Sequence, residues 1–359
     1  MALADQVLER RPGYRLALHA QGILAGVLAS VATDELDPKA AMRAGLRQEQ
    51  VQLTLLRLDP NNVQSLNNFA VAEGQLGDSL WAAGHVREAV PFYVKQLDYF
   101  GRASAGGASF DINRSASMTG TATRQAQLGE AAAAAATLAA GAPFLAKLRQ
   151  SEPPGSMAVV LVDAIGKNGE AWVAFERDDV LAARRMAADA VSELQAATPH
   201  GGEQEFSKYL SLHFAYMLEG RAEYQLGDFA AAERSEAKAL DASQAGGAEL
   251  TDDRRRRAQC SSWIAMAQAR QGRLSEAART IGPVLRFYHD LAARNHGDQW
   301  LPLELAGALY AEALSDPKTG AANLREAARL IDGLPRELQS THDVRQWRER
   351  IRQAQAGAG

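Results

Sequence analysis

Three turns of the same composition recur along the chain, and they constrain its fold more than any other feature. Each turn has a glycine, a polar residue, an apolar residue two positions after the glycine and an alanine five positions after it, at residues 84–89, 227–232 and 272–277. Seven positions before each glycine lies another small residue: Gly77, Gly220 and Ala265. A glycine can take the left-handed conformation that ends a helix, and a small residue lets two crossing backbones approach. The pattern therefore predicts helix hairpins.

Weaker copies of this turn fill the intervals between the strong ones. They lie near Gly129, Asp178 and Ala322, and an earlier degenerate turn lies near Asp37 and Pro38. From Gly84 to Ala322 the steps between turns are 45, 49, 49, 45 and 50 residues. The stretch 157–162 alone has the composition of a strand, and it leads directly into helix-compatible sequence. We therefore predict an all-α chain.

The strong units resemble the tetratricopeptide repeat family. The first carries Gly77, Leu80, Gly84, Ala89 and Tyr93 after a Pro-Asn linker at residues 58–62, and the second carries Tyr216, Gly220, Ala222, Gly227, Phe229, Ala232 and Ala239. The resemblance implies a right-handed superhelical solenoid of antiparallel helix hairpins, with about six to seven repeats of 45–50 residues. The usual repeat is about 34 residues, so each helix should be longer by about one and a half to two turns. Such long-helix versions occur in bacterial multidomain signalling proteins.

The repeat spacing also suggests where the chain divides. We expect degenerate helical repeats in 1–62, a tetratricopeptide-like repeat in 63–104 and two divergent repeats in 105–200. Two further tetratricopeptide-like repeats should occupy 201–295, followed in 296–359 by a last repeat and a polar-faced capping helix around residues 343–350 that closes the array.

Composition excludes several classes of protein. With 39 Lys+Arg against 43 Asp+Glu in 359 residues, the chain has no basic surplus for general nucleic-acid binding. The most apolar run, 23–31, is shorter than a membrane span and contains a glycine, so we predict no transmembrane segment. Cys260 has no partner for an internal disulfide and is expected to be a structural thiol. The first ten residues resemble the middle of an amphipathic helix. We therefore expect the chain to be a fragment of a longer protein. Its expected location is the cytoplasm, or the periplasm if the parent protein is anchored in a membrane.

Motifs that carry catalysis or bind cofactors are missing from the sequence. The seven histidines lack metal-ligand spacing, and His213 is expected to be a core histidine. The glycine pairs at 106–107 and 246–247 follow no strand and precede no Gly-Lys-Ser/Thr, so they are interpreted as linkers. Gly155-Ser156 is interpreted as a turn, and Asp178-Asp179 and Asp252-Asp253 as helix starts. We therefore predict no catalytic residue, no metal and no cofactor, and the protein should not be an enzyme.

The resemblance implies a concave groove lined by the first helix of each hairpin, where side chains contact peptides. The residues at those positions are the predicted partner-binding set: Asp78, Trp81, Asn113, Arg114, Arg124, Arg221, Tyr224, Met266 and Arg270. Asn113, Arg114 and Arg124 belong to a helix expected over 110–127. Aromatic and arginine side chains are common in interface hot spots. Trp81 and Tyr224 could equally pack between neighbouring helices. The four arginines 254–257 are expected to form a solvated helix face paired with neighbouring acids, with an anionic partner site as the alternative.

These features favour a scaffold or regulatory repeat domain that binds a protein or peptide in its groove. The resemblance suggests part of a larger bacterial signalling protein, such as a Ser/Thr kinase or a transcription regulator. The partner should carry acidic and apolar residues, which suit arginine and tyrosine. The alternative is a sensor domain whose superhelix closes on a small molecule.

Overall fold

The computed structural model describes residues 2–104, 108–153, 155–246, 251–295 and 297–357, and throughout these ranges the regular structure is α-helical, with no strand. Gly106, Gly107, Gly247 and His296 lie outside the described residues. The helices are α1 Ala2–Arg10, α2 Arg15–Asp34, α3 Pro38–Leu58, α4 Val63–Ala82, α5 Val86–Ala103, α6 Ala108–Gln127, α7 Ala131–Ala139, α8 Ala142–Ser151, α9 Met157–Phe175, α10 Val180–Ala196, α11 Gly202–Gln225, α12 Phe229–Ala245, α13 Thr251–Arg270, α14 Leu274–Arg294, α15 Leu301–Ser315, α16 Pro317–Asp332, α17 Arg336–Gln339 and α18 His342–Gly357. The all-α prediction is confirmed.

The chain divides into two compact units, Met1–Ser117 and Met118–Gly359. In the first unit α2 packs against α3, α3 against α4 and α4 against α5. In the second unit the hairpin pairs are α9–α10, α11–α12, α13–α14 and α15–α16. Successive first helices also meet, since α11 contacts both α9 and α13, and α13 contacts α15. Each unit is therefore a stack of helix hairpins.

The predicted turns use left-handed backbone. Gly84, Gly129, Gly227 and Gly272 have φ values between 79° and 85°. Asp178 takes the equivalent place between α9 and α10 with φ 61°, a conformation that costs a residue with a side chain more than it costs glycine. After two of these turns an aspartate caps the next helix: the Asp179 side chain accepts from the Ala182 N–H, and that of Asp228 from the Ala231 N–H. These contacts stop one helix and start the next.

Two local expectations are corrected by the structure. The turn expected near Ala322 lies earlier, because Asp316 caps α16 and Pro317 begins it, so that Ala322 is inside the helix. The strand-like run 157–162 forms the first turns of α9, which the Ser156 side chain caps by accepting from the Val159 N–H.

The small residues expected at helix crossings do lie at close approaches. A Cβ atom at Gly77 would be 2.7 Å from Cε1 of Tyr93 on the paired helix α5. A Cβ atom at Gly220 would be 2.8 Å from Cγ of Glu236 and 3.1 Å from the Ala232 carbonyl oxygen on α12. Ala265 is fully buried on α13. The predicted register is therefore confirmed for the hairpins of Gly77 and Gly220, and that of Ala265 stays a prediction.

The helix α2 carries an exposed apolar face. The 20 residues of α2 include a window of mean hydropathy 1.6, which by length and composition alone could cross a membrane, and 33% of that window is buried. A second such segment, Ala131–Ser151, is divided here into α7 and α8. The prediction that no segment is long and apolar enough to cross a membrane is thus too strict. In the structure, however, α2 packs against α3 as a hairpin helix. Its exposed apolar residues are Leu16, Ile23, Leu24, Val27, Leu28 and Val31.

Candidate partner-binding surface

Aromatic and arginine side chains from three successive first helices meet in the second unit. Tyr224 of α11 packs edge-on against Trp263 of α13, with ring centroids 5.3 Å apart. Arg270 of α13 connects this pair to α15, because its Nε donates to the Tyr224 hydroxyl at 3.3 Å and its Nη2 to the Tyr310 hydroxyl at 3.1 Å. Together with Arg221 of α11, these residues form what we call the arginine–aromatic surface.

Arg221 is held by rings rather than by a carboxylate. Its guanidinium lies 5.4 Å from the centre of the Trp172 ring and 5.5 Å from that of Trp263. Its Nη2 donates weakly to Sδ of Met217 at 3.2 Å, and its Nε is buried without an acceptor in the described part of the chain. Cation–π contacts stabilise such a cation by about 0.5–1 kcal/mol each where it is partly exposed. Arg221 therefore links α9, α11 and α13 without forming an ion pair among the described residues.

The C-terminal helix α18 lies on this surface. The Trp347 ring centroid is 5.7 Å from that of Trp263 and 5.8 Å from that of Tyr310. Gly307 of α15 makes the approach possible, because a Cβ atom there would be 3.1 Å from Cζ2 of Trp347. The Arg350 guanidinium lies 5.1 Å from the centre of the Trp263 ring and 5.2 Å from that of Trp347. Trp347 and Arg350 thus extend the same arrangement of rings and cations.

Polar contacts attach the middle of α18 to the turn before α10 and to α11. Gln225 Nε2 donates to Gln346 Oε1 at 3.0 Å, and Arg350 Nη2 donates to the same oxygen at 3.2 Å. Gln346 Nε2 in turn donates to Asp178 Oδ1 at 3.0 Å. Burial lowers the pKa of Arg350, and the nearby Arg221 charge acts in the same direction. Among the described residues, neither arginine forms an ion pair.

The first turn of α18 brings a histidine between carboxylates. His342 Nδ1 lies 2.8 Å from Glu176 Oε2, and its Nε2 lies 3.2 Å from Asp178 Oδ1. Burial, together with the charge of Asp343, raises the pKa of Glu176 to about 7. Burial alone would lower the pKa of His342, but its hydrogen bond to Glu176 and the Glu176 charge outweigh this and raise it. Glu176, His342 and Asp343 each offer one possible metal ligand within 4.8 Å of the others, an arrangement that no sequence spacing indicated.

The structure brings Arg221, Tyr224 and Arg270 of the predicted set onto one surface. Arg270 is exposed, Arg221 is half-buried and Tyr224 is only 8% exposed, so that Tyr224 packs between helices, which was the alternative interpretation. Met266 is fully buried. The prediction that its side chain faces a groove is wrong, because the face of α13 that carries Met266 points into the core.

The other predicted residues lie elsewhere. In the first unit the half-buried Asp78 accepts from the Tyr93 hydroxyl at 2.9 Å, and the half-buried Trp81 packs edge-on against the same ring. Asn113 is exposed and Arg114 half-buried on the part of α6 in the first unit, and Arg124 is half-buried on the part in the second. Their role in binding a partner stays a prediction.

The arginine run on α13 is a structural element. Arg255 is buried between Asp298 and Glu304, with an N–O distance of 2.6 Å to each. Arg256 pairs with Asp252 and Asp253, and Arg254 lies over the Phe287 ring. The acidic partners of Arg255 come from beyond α14, which periodicity could not show. The expected pairing with neighbouring acids is confirmed for Arg256 and the expected exposure for Arg254, whereas Arg255 is held internally.

His213 and Cys260 are core residues, as expected. His213 is fully buried with Nδ1 2.9 Å from the Ala239 carbonyl oxygen, and burial lowers its pKa to about 4. Cys260 is fully buried, and burial raises the pKa of its thiol well above the ordinary value.

Four important residues were absent from the predicted set: Trp263, Tyr310, Trp347 and Arg350. Trp347 and Arg350 are three positions apart and share a face of α18, as do Arg221 and Tyr224 on α11, and this shared spacing was the available signal. The expected end cap would contact its neighbouring repeat, whereas α18 also reaches Trp263 of α13, Gln225 of α11 and Gln127 of α6.

The chain is similar to solved structures at low sequence identity. No family model matches the chain, and no curated protein matches it. Among solved structures it is similar to a Rap protein complexed with Competence and Sporulation Factor, with 11% identity and a TM-score of 0.44 over 96% of this chain and 100% of that one. It is also similar to the P58(IPK) TPR domain, with 12% identity and a TM-score of 0.20 over 95% and 98% of the two chains.

The hairpins themselves define the fold. Paired helices joined at left-handed glycines, small residues at the crossings and contacts between successive first helices are the features of the tetratricopeptide arrangement. The chain has a tetratricopeptide-like helical repeat fold.

Proposed function

We propose that this protein is an interaction module that binds a protein or peptide segment on the arginine–aromatic surface of its second unit. The observation that supports this most directly is the seating of α18 there, with the Trp347 ring among those of Trp263 and Tyr310. A surface that accommodates one helix through an aromatic anchor has the shape and chemistry to bind another.

The charge of the surface suggests the chemistry of the partner. Arg221 and Arg270 belong to it, and neither of them forms an ion pair among the described residues. Arginine binds carboxylates bidentately, and the rings beside these arginines offer apolar contact area. A segment with acidic and apolar residues therefore fits best. We place the module in the regulatory region of a cytoplasmic bacterial signalling protein.

The test is capture of partners with crosslinking, followed by binding measurements with the purified partner. The full chain, the Arg270→Ala variant and the control Arg325→Ala are compared, because Arg325 is an exposed arginine on α16. We expect the partner to be retained by the wild type and by Arg325→Ala and to be lost or weakened with Arg270→Ala. Equal binding by all three chains would place the interface elsewhere. A thermal shift with small metabolites and no protein partner would favour the sensor alternative.

A further inference from the structure

We propose that α18 is a displaceable internal ligand of the arginine–aromatic surface, and that the partner which replaces it is an amphipathic helix with an aromatic anchor. This inference rests on the proposed function, because it names the partner's conformation and the regulation of the same surface.

The side chains that α18 uses lie on one helical face. Val344, Trp347, Arg350 and Ile351 are spaced by three, three and one residues, which places them together on an α-helix. Val344 and Ile351 are almost completely buried, and Trp347 and Arg350 contact the surface rings. Recognition of a helix in a groove uses this pattern of anchors. The arrangement defines the segment that a competing helix would present.

The attachment of α18 is weaker than that of a hairpin helix. Three of its 16 residues are buried, His342, Val344 and Ile351, compared with five of 21 in α14 and ten of 15 in α15. Its contacts with α11 and with the turn before α10 are hydrogen bonds of Gln346 and His342. Water can replace the neutral contacts of Gln346 at a small net cost, whereas loss of the His342–Glu176 contact costs more. The helix α18 can therefore leave at a lower cost than an element of the stacked core.

The docked state also leaves charges that a competitor could satisfy. Arg221 Nε has no acceptor among the described residues, and Arg270 donates to the hydroxyls of Tyr224 and Tyr310 rather than to a carboxylate. A helix that brings a carboxylate to the arginines would gain charge-assisted hydrogen bonds that α18 does not form.

The connection to α17 makes α18 an effective competitor. Ser340 and Thr341 are the two residues between the helices, and Leu338 and Thr341 are fully buried, so the end of α17 is fixed. A short tether of this kind gives an effective concentration on the order of millimolar. A partner helix must bind tightly enough to compete with α18 at this effective concentration. Substitutions that weaken the docking of α18 should therefore make the surface accessible to the partner.

The experiment uses the full chain and a fluorescent synthetic peptide of residues 341–357 as the probe. Its binding is measured by anisotropy for the wild type, for Trp347→Ala with Arg350→Ala, and for the control Arg345→Ala with Arg352→Ala, whose side chains are exposed on the same helix. We expect the first variant to bind the peptide about tenfold or more tightly than the wild type does, because its internal competitor is weakened. The control should bind like the wild type, and a peptide that carries the two anchor substitutions should not bind.

A second variant weakens docking from the opposite side. Gly307→Val places side-chain atoms against Trp347, so amide hydrogen exchange within α18 should accelerate while exchange in α11 and α12 stays slow. The proposal is overturned if the peptide binds the anchor variant no better than the wild type. It is also overturned if exchange in α11 and α12 accelerates together with that in α18, because α18 would then be part of the core. The proposed function is tested separately, through the dependence of partner binding on Arg270. If binding requires Arg270 but is the same whether or not α18 is docked, the proposed function stands and only this inference is overturned.

Discussion

His342 Nδ1 lies 2.8 Å from Glu176 Oε2, although 166 positions separate the two residues in the chain. The contact joins the first turn of the last helix to the turn that follows α9. Asp178 and Asp343 complete the charged groups around it, and Gln127 Nε2 donates to Asp343 Oδ2 at 3.0 Å. A proton shared in this group helps to hold α18 in place, and its loss provides a measurable effect.

We expect stability of the second unit to fall as pH rises from about 5 to about 8. The pKa of Glu176 is raised to about 7 in the folded state, and the pKa of His342 is raised above 6.5. A group whose pKa is higher in the folded than in the unfolded protein stabilises the fold at pH values below its unfolded pKa. This stabilisation is lost as pH rises through the pKa of the folded state. The contribution is on the order of 1–3 kcal/mol.

Denaturant unfolding at several pH values checks this, with Glu176→Gln as the comparison. Other buried carboxylates also have raised pKa values, among them Glu236 at about 8, so the difference between the two chains is the informative quantity. Glu176→Gln should show a flatter dependence on pH. If the free energy of unfolding depended on pH in the same way for both chains, the contact between His342 and Glu176 would not contribute to the pH dependence of stability.

Substitutions of helical glycines should be more destabilising where less space is available for a Cβ atom. We expect Gly220→Ala to cost about 1–3 kcal/mol, because its Cβ would meet the Ala232 carbonyl oxygen and the Glu236 backbone nitrogen, which cannot rotate away. Gly166 on α9 has no such neighbour within 4 Å, so Gly166→Ala should stabilise by up to about 1 kcal/mol through helix propensity. Chemical denaturation of the two variants measures both effects. A destabilised Gly166→Ala chain would show that this part of α9 is packed differently.

The two arginines of the surface should differ in their effect on stability. Arg221→Ala removes contacts with Trp172 and Trp263 and should cost about 1–2 kcal/mol. Arg270→Ala removes hydrogen bonds to two tyrosine hydroxyls from an exposed position and should cost less than about 1 kcal/mol. Thermal melting of both variants gives the comparison. Equal losses would indicate that Arg270 is as structural as Arg221.

Cys260 should react with thiol reagents at the rate at which the protein opens. Its side chain is fully buried, and burial raises the pKa of the thiol well above the ordinary value, so thiolate is scarce at neutral pH. We expect little labelling by iodoacetamide in buffer and complete single labelling in denaturant, read by mass spectrometry. Rapid labelling of the folded chain would mean that α13 is more accessible than the structure shows.

The sequence by itself determined the repeating unit of this protein. A left-handed turn needs glycine, a close crossing needs a small residue, and a helix begins well at Asp or Ser. These are local requirements, so Gly84, Gly227 and Gly272, Gly77 and Gly220 could be assigned from their spacing alone. Asp178 was recognised as a turn for the same reason, although its left-handed backbone is uncommon for aspartate.

The tertiary structure decided which side chains meet on the surface. Periodicity assigns a residue to a helix face, but it does not show whether that face is covered, so Met266 was expected in a groove and lies in the core. The partners of Arg255 and the position of Trp347 depend on contacts between residues far apart in the chain, which local spacing does not encode. The last helix had the composition of an end cap, and only the packed structure placed it on the arginine–aromatic surface, because that choice depends on the rings and charges of several repeats together.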